Sequence, residues 1–178
     1  MIKISITGPE SSGKSALSFW LADHIKNSVA IPEVARLYLE ARETGYKYVQ
    51  QDLININLQS IIAIEEAKNN SPQVIINDSD FYVTQIWWEE VFKTENDFIR
   101  SCSLEINFDA YILCEPDLPW EYDPLRENEH DRYRLYELYK NVLKKDNRKV
   151  IYASGHDELR FENTLIELQK LFPQLSLK

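Results

Sequence analysis

Two glycines, a lysine and a serine near the N-terminus have the types and spacing needed to hold a polyphosphate. The segment reads Gly8-Pro9-Glu10-Ser11-Ser12-Gly13-Lys14-Ser15, which matches G-x-x-x-x-G-K-[ST] in full. The two glycines permit a tight turn in which successive backbone N–H groups face one anion. Lys14 would reach the β- and γ-phosphates, and the Ser15 hydroxyl would bind Mg²⁺. We therefore predict that this phosphate loop, with Ala16 after it, binds ATP and Mg²⁺.

Carboxylates stand where two of the predicted strands end. Asp78 follows Val74-Ile75-Ile76-Asn77, and Asp80 lies two residues further on. Glu33 follows the second strand. One of these carboxylates would organise Mg²⁺, for which Asp78 is the candidate, and Asp80 or Glu33 would accept the proton of an acceptor hydroxyl. The division of roles between the two aspartates is left open, and a turn or helix cap is the alternative for this Asp-Ser-Asp sequence.

Arginines and a tryptophan occur in an acidic, tyrosine-rich segment, residues 117–139, which has the composition of a lid or flap. Arg126 and Arg132 are candidates to close over the phosphates, where phosphoryl transfer develops charge. Arg134 is a third. The alternative for each arginine is an ion pair with a neighbouring acid. Trp120 follows a proline between acidic residues, so its ring could stack on a base, with core packing as the alternative.

Further residues complete the predicted binding site. On the acceptor side we expect Glu33, Arg36, Asp80, Trp120, Asp123 and Arg126, because ligands of open α/β sheets gather at the carboxyl ends of the strands. An ion pair at a helix start is the alternative for Glu33 and Arg36. After the last predicted strand, Gly155 would let the backbone approach the adenine, and Arg160 could stack across its face.

Short apolar runs alternate with helical patterns along the chain. Five runs predict strands: Lys3–Thr7, Ser28–Ile31, Gln73–Asn77, Ala110–Cys114 and Lys149–Ala153. Helical spacing occurs in Lys14–Lys26, Leu53–Lys68, Tyr133–Lys144 and Asn163–Leu171. Continuous apolar strands that alternate with helices predict an α/β fold of the P-loop type, with a five-stranded parallel sheet and helices on both faces. We expect one domain over residues 1–178, with the lid at about 117–139.

Composition limits the classes of partner. The formal charge is −9, which argues against a nucleic-acid-binding surface because such surfaces rely on Lys and Arg. Two cysteines, with no second pair, give neither a metal-ligand spacing nor a disulfide framework. The N-terminus lacks the apolar region of a signal peptide, and no stretch has the roughly 18 apolar residues of a membrane span. We therefore expect a cytosolic protein with a small-molecule substrate; its oligomeric state is left open.

With these residues in hand, the chain resembles the ribosylnicotinamide kinase domain of the NadR family, a group of P-loop proteins. The resemblance covers nearly the whole chain. Besides the phosphate loop, it rests on Pro32-Glu33-Val34-Ala35-Arg36, on Asp78-Ser79-Asp80 with Thr84, and on Phe108-Asp109 followed by Trp120-Glu121-Tyr122-Asp123-Pro124-Leu125-Arg126. The phosphate loop is generic to P-loop proteins, whereas the joint order of the other segments is more specific.

The resemblance implies ATP-dependent phosphorylation of the 5′-hydroxyl of nicotinamide riboside, with Trp120 lining the nicotinamide pocket. Two departures stand out. Full-length members carry an adenylyltransferase domain before the kinase, whereas this chain begins at the first strand, so it would be a stand-alone kinase unit. Residues 154–157 contain no Phe, Tyr or Trp where such members place a second ring near the base. The alternatives are a regulatory or stand-alone P-loop ATPase and a nucleoside or nucleotide kinase with another acceptor.

Overall fold

A parallel sheet with helices on both faces forms the protein. The computed structural model describes residues 1–43 and 45–178. The strands are β1 (Ile2–Thr7), β2 (Ser28–Ile31), β3 (Val74–Asp78), β4 (Ala110–Cys114) and β5 (Val150–Ala153). The helices are α1 (Lys14–His24), α2 (Val34–Glu40), α3 (Gln50–Lys68), α4 (Phe81–Phe92), α5 (Asp97–Glu105), α6 (Arg132–Lys145) and α7 (Asp157–Leu171). The predicted fold class is confirmed, and all five strands begin and end within one residue of their predicted limits.

The sheet has the strand order β2-β3-β1-β4-β5, and all its neighbours are parallel. The first strand is therefore central, with β3 on one side and β4 on the other. Residues 8–13, which follow β1, are thereby flanked by the ends of β3 and β4. This is the crevice at the carboxyl ends of the strands where open α/β sheets bind ligands.

Two apolar cores separate the sheet from its helices. On one face, Leu17 and Leu21 of α1 and Leu168 of α7 pack against Ile4 and Ile112, and all five side chains are fully buried. The other core contains Ile75 and Tyr111 of the sheet and residues of α3 to α6. Because both faces are covered, the strands read as continuous apolar runs.

Helices α2, α4 and α5 lie outside the four segments in which helical spacing was found. The seven-residue α2 is too short to show a clear apolar period. Helix α5 does carry a local signal, because the Asn96 side chain accepts a hydrogen bond from the Ile99 N–H at 3.1 Å and caps its N-terminus.

The segment predicted as a lid divides into two parts. Helix α6 begins at Arg132, whereas residues 117–131 contain neither helix nor strand. We call residues 117–131 the covering segment. Elsewhere, none of the helices found within residues 1–43 and 45–178 is both long and apolar enough to cross a membrane.

Candidate functional site

The phosphate loop curls through three residues with positive φ. These are Gly8 (132°), Ser11 (52°) and Gly13 (77°). A Cβ on Gly8 would lie 2.7 Å from the carbonyl oxygen of Cys114, so the close approach of the loop to β4 requires glycine. Gly13 directly precedes α1, whose first turn has no side-chain cap and no acidic residue. The first N–H groups of α1 therefore lack a side-chain partner, as expected of an anion-binding helix start.

The Lys14 side chain contacts the phosphate loop. Its Nζ donates to the carbonyl oxygen of Pro9 at 2.8 Å, and the Ser12 hydroxyl donates to the same oxygen at 2.7 Å. The ammonium group is therefore held at the loop by a single neutral acceptor. A phosphate oxygen, which is charged, would be a stronger partner.

Asp78 ends β3 beside the phosphate loop. It pairs in register with Ile6 of β1 and is 2% exposed. Burial raises the pKa of the Asp78 carboxyl, while the Ser15 hydroxyl and the charge of Lys14 oppose this rise and the charge of Glu33 adds to it. These effects act over short distances, so the predicted Lys14, Ser15, Asp78 and Glu33 come together at one site.

The oxygen atoms of Ser15 and Asp78 suit a Mg²⁺ ion. Magnesium binds proteins through one or two oxygen ligands and takes the rest of its octahedron from phosphates and water. Over residues 1–43 and 45–178, no group of three or more His, Cys, Asp or Glu side chains could hold a metal ion by itself. The residues present therefore fit a magnesium ion that arrives with a nucleotide, as the sequence predicts, rather than a fully protein-ligated metal.

Asp80 differs from its predicted catalytic and substrate-binding role. It is the N-cap of α4, where Oδ1 accepts from the Tyr82 N–H at 2.9 Å. The Ser5 and Thr7 hydroxyls donate to Oδ2 and Oδ1 at 2.8 and 3.2 Å. The side chain is 6% exposed. Because its oxygens are bound beneath the end of β1, Asp80 holds α4 against the sheet, which leaves Glu33 as the candidate base.

The free energy of unfolding should depend on pH because the Asp80 carboxyl is buried. Burial raises the pKa of its carboxyl from 3.8 to about 6, despite the opposing hydrogen bonds. The protonated form therefore stabilises the fold fully below the unfolded pKa, and this stabilisation is lost as the pH rises through the folded pKa. We expect Asp80→Asn to destabilise the protein more at about pH 4 than at about pH 7, by about 3 kcal/mol, the equivalent of two pKa units.

Urea unfolding of the wild type and Asp80→Asn across this range measures the difference. Asp97→Asn, which removes an exposed carboxylate in the first turn of α5, controls for the loss of one negative charge. A difference between wild type and Asp80→Asn that stays constant with pH, or that grows as the pH rises, would contradict the assignment.

Arg36 connects α2 to the covering segment. Its guanidinium group lies 2.9 Å from Asp123 Oδ2, 3.2 Å from Glu40 Oε1 and 3.7 Å from Glu33 Oε2. Burial alone would raise the pKa of Asp123, but the Leu125 N–H and Arg36 outweigh it and lower the pKa. Glu33, Arg36 and Asp123, all predicted on the acceptor side, are thus in contact. The predicted alternative of an ion pair at a helix start also applies to Glu33 and Arg36.

Two arginines of the predicted lid meet the phosphate loop. Arg126 Nη1 donates to the Glu121 carbonyl at 2.7 Å and lies 3.4 Å from Ser11 Oγ. Arg132 Nη1 donates to the Ser11 carbonyl at 3.1 Å, and its guanidinium carbon is 5.7 Å from the centre of the half-buried Trp120 ring. Arg134 instead pairs with Glu90 and Asp131 at 2.6 and 2.5 Å. Trp120 therefore lies near the phosphate loop, with a cation next to its ring.

The position of Arg160 contradicts the prediction that this side chain stacks on adenine. Its side chain is 1% exposed and forms an ion pair with Asp117. It also donates to the carbonyl oxygens of Ser12 and Glu115 at 2.9 and 3.0 Å. A buried guanidinium with these partners cannot cover the face of a base, so Arg160 braces the phosphate loop from below.

Gly155 lies beside this brace, with its N–H donating to Asp117 Oδ2 at 2.5 Å and a φ of 93°. The position of a Cβ on Gly155 has no neighbour within 4 Å, so the backbone here is open, and its contact with adenine stays a prediction. Sequence reasoning missed Asp117. In the sequence, only the position of Asp117 three residues after the end of β4 could have indicated it.

A family model described as an AAA domain matches residues 3–160. The chain belongs to this family. The match includes the phosphate loop, Asp78, the covering segment and Arg160. In the structure, the phosphate loop and Asp78 lie together at the carboxyl edge of the sheet.

Solved structures share the fold of this AAA domain. A NadR protein in complex with NR superposes with a TM-score of 0.83 at 18% identity, covering 99% of this chain and 53% of that one. A NadR protein in complex with NAD and AMP-PNP gives 0.74, also at 18% identity, over 96% of this chain and 49% of that one. The chain therefore spans about half the length of these NadR chains. Its resemblance to NadR, inferred from sequence, is confirmed at the level of the fold.

The same fold occurs in a thymidylate kinase from Ehrlichia chaffeensis. That structure superposes with a TM-score of 0.66 at 15% identity, covering 96% of this chain and 97% of that one. This AAA domain therefore has the P-loop kinase fold.

Proposed function

We propose that this chain is an ATP- and Mg²⁺-dependent kinase that phosphorylates the 5′-hydroxyl of a nucleoside-like acceptor, with nicotinamide riboside as the first candidate. One observation carries the proposal. The phosphate loop lies beside Asp78 on one side and near Arg126 of the covering segment and Arg132 of α6 on the other, so a triphosphate would have hydrogen-bond donors and cations on several sides. Charge neutralisation and positioning supply most of the rate in phosphoryl transfer.

Each group then has a role in the reaction. The N–H groups of the loop and Lys14 would bind the β- and γ-phosphates, while Ser15 and Asp78 would hold Mg²⁺. When bound, the ion would neutralise charge on the phosphates. The acceptor oxygen would bond to the γ-phosphorus as the bond from that phosphorus to the bridging oxygen of ADP breaks, and Glu33 would accept the hydroxyl proton. Arg126 and Arg132 would stabilise the charge that develops on the transferred group.

Two points favour nicotinamide riboside. The NadR structure with NR superposes better than the thymidylate kinase, with a TM-score of 0.83 against 0.66. The covering segment is also acidic: its carboxylates are Asp117, Glu121, Asp123, Glu127, Glu129 and Asp131, and its one arginine is Arg126. The pyridinium ring of nicotinamide riboside is cationic, so the negative potential of such a segment attracts it.

An acceptor screen tests the proposal. ADP release from ATP and Mg²⁺ would be measured with nicotinamide riboside, nicotinic acid riboside, common nucleosides and thymidine monophosphate. Nicotinic acid riboside is the matched control, because it keeps the ring and the ribose and has a carboxylate in place of the neutral carboxamide. We expect nicotinamide riboside to be preferred over it by about tenfold, the effect of about 1.4 kcal/mol of charge interaction. Preference for another nucleoside would reassign the acceptor, and ATP consumption that no acceptor accelerates would favour an ATPase.

A further inference from the structure

Glu10 and Ser11 occupy variable positions of the phosphate loop, yet both side chains bind the covering segment. The Glu10 carboxylate accepts from the Asn128 N–H at 2.8 Å and from the Glu127 N–H at 3.1 Å. Phosphate binding by this loop uses backbone N–H groups and does not need a carboxylate. A carboxylate facing the phosphates would repel them. The contacts with Glu127 and Asn128 give Glu10 a different function.

Ser11 adds a second set of contacts to the same segment. Its hydroxyl accepts from the Glu121 N–H at 2.9 Å and donates to the Pro119 carbonyl at 3.3 Å. Its own carbonyl accepts at 3.1 Å from Arg132, the first residue of α6, which directly follows the segment. Consecutive loop residues thus bind the covering segment near both of its ends.

We propose that Glu10 is a positioning residue, whose carboxylate anchors the covering segment on the phosphate loop so that Arg126 and Arg132 are held over the nucleotide. The spacing supports this role. Arg126 directly precedes Glu127, and Arg132 follows Asn128 by four residues, so fixing the two anchored N–H groups limits the positions of both arginines. The inference rests on the proposed function, since it assigns these arginines to the transferred phosphoryl group.

The charge of Glu10 strengthens the anchor. Hydrogen bonds to an ionised acceptor are roughly twice as strong as neutral ones, and here two adjacent N–H groups share one carboxylate. The segment also has other contacts. Arg160 pairs with Asp117, and Ser11 binds Pro119 and Glu121. Tyr48 donates to Glu127 at 3.2 Å, and Arg36 pairs with Asp123 at 2.9 Å. Loss of Glu10 should therefore loosen the segment without releasing it.

The anchor also connects the nucleotide to the covering segment. Ser11 has a φ of 52°, so the Glu10 and Ser11 side chains meet the segment only while the loop is curled. The same curled backbone directs its N–H groups at a phosphate. A bound nucleotide that favours the curled loop would therefore also favour the anchored segment.

Glu10→Ala and Glu10→Gln separate the anchor from other roles. The glutamine keeps a carbonyl acceptor for the Asn128 N–H but loses the charge. With saturating MgATP, we expect amide hydrogen exchange in residues 118–131 to become faster in Glu10→Ala and to lie between wild type and Glu10→Ala in Glu10→Gln. We expect kcat to fall by roughly 10- to 100-fold in Glu10→Ala, as expected for the loss of charge-assisted hydrogen bonds. The affinity for MgATP, measured by calorimetry, should fall as well, because a nucleotide that favours the anchored segment is in turn bound more tightly when the segment is anchored.

Tyr122→Ala is the matched control, because it truncates a side chain of the same segment that is 87% exposed and is not one of the segment's carboxylates. It should leave exchange and kcat unchanged. The inference is overturned if exchange in residues 118–131 is the same in Glu10→Ala as in the wild type, or if it becomes faster while kcat is unchanged. The exchange measurement needs only MgATP, so it decides whether the anchor exists even if the wild type phosphorylates no acceptor, a result that would refute the proposed function instead.

Discussion

Lys14→Ala is expected to lower phosphoryl transfer by about three orders of magnitude, the loss seen when a preorganised donor to developing charge is removed. In the structure, the Lys14 ammonium group is held at the phosphate loop by the Pro9 carbonyl at 2.8 Å. It is the one lysine within the loop motif, so no neighbouring lysine of that motif would replace its charge. The helix should persist, because alanine is the best helix former.

Steady-state ADP release with the best acceptor of the screen measures this loss, and far-ultraviolet circular dichroism checks the fold. Lys26→Ala, an exposed lysine just beyond α1, is the control and should retain full activity. Activity of Lys14→Ala within a few-fold of wild type would contradict the proposal that the loop holds the reacting phosphates.

The phosphate loop and the end of β3 could be predicted from sequence because both are local features. The spacing of Gly8, Gly13 and Lys14 fixes a turn and a helix start within a few residues. Asp78 follows an apolar run, so its place at the end of a buried strand depends only on where that run stops. Glu33 was found in the same way, after β2. Residues whose position depends on the strand that carries them can be placed without knowledge of distant contacts.

The misplaced residues depend on contacts between distant parts of the chain. Asp80 has the sequence signal of a helix cap, but its burial depends on Ser5 and Thr7, more than 70 residues earlier. Arg160 lies in α7 and meets Asp117, 43 residues before it. No periodicity or motif in this sequence predicts such pairings. A charged residue in a loop or helix start was therefore read as a ligand contact, although it is a buried structural group.

The contacts of Glu10 could not be predicted from sequence for another reason. Its position is variable in the motif, so its side chain carries no signal of its own, and its partners are backbone N–H groups of Glu127 and Asn128. Because almost every residue has a backbone N–H, residue types do not show which N–H groups bind a distant side chain. Only the three-dimensional path of the covering segment shows that an acidic residue in a phosphate-binding loop is bound to something other than phosphate.

Arg160→Leu is expected to destabilise the protein by about 3 kcal/mol, near the lower end of the range for breaking a buried ion pair. Leucine fills part of the space but leaves Asp117 without its cation and the Ser12 and Glu115 carbonyls without their donor. Asp117 is 20% exposed, so water can solvate part of its charge, which sets the effect at the lower end. The affinity for MgATP should also fall, since the brace beneath Ser12 is lost.

Urea unfolding and calorimetry with MgATP measure the two effects of Arg160→Leu. Lys170→Leu, at a largely exposed position of the same helix, is the matched control and should change neither. Adding Asp117→Asn to Arg160→Leu should recover part of the stability, because the uncompensated charge is then removed. A loss below about 1 kcal/mol would instead show that the carbonyls find other donors. In that case the phosphate loop would keep its shape without the arginine, and the nucleotide site would depend on the loop sequence alone.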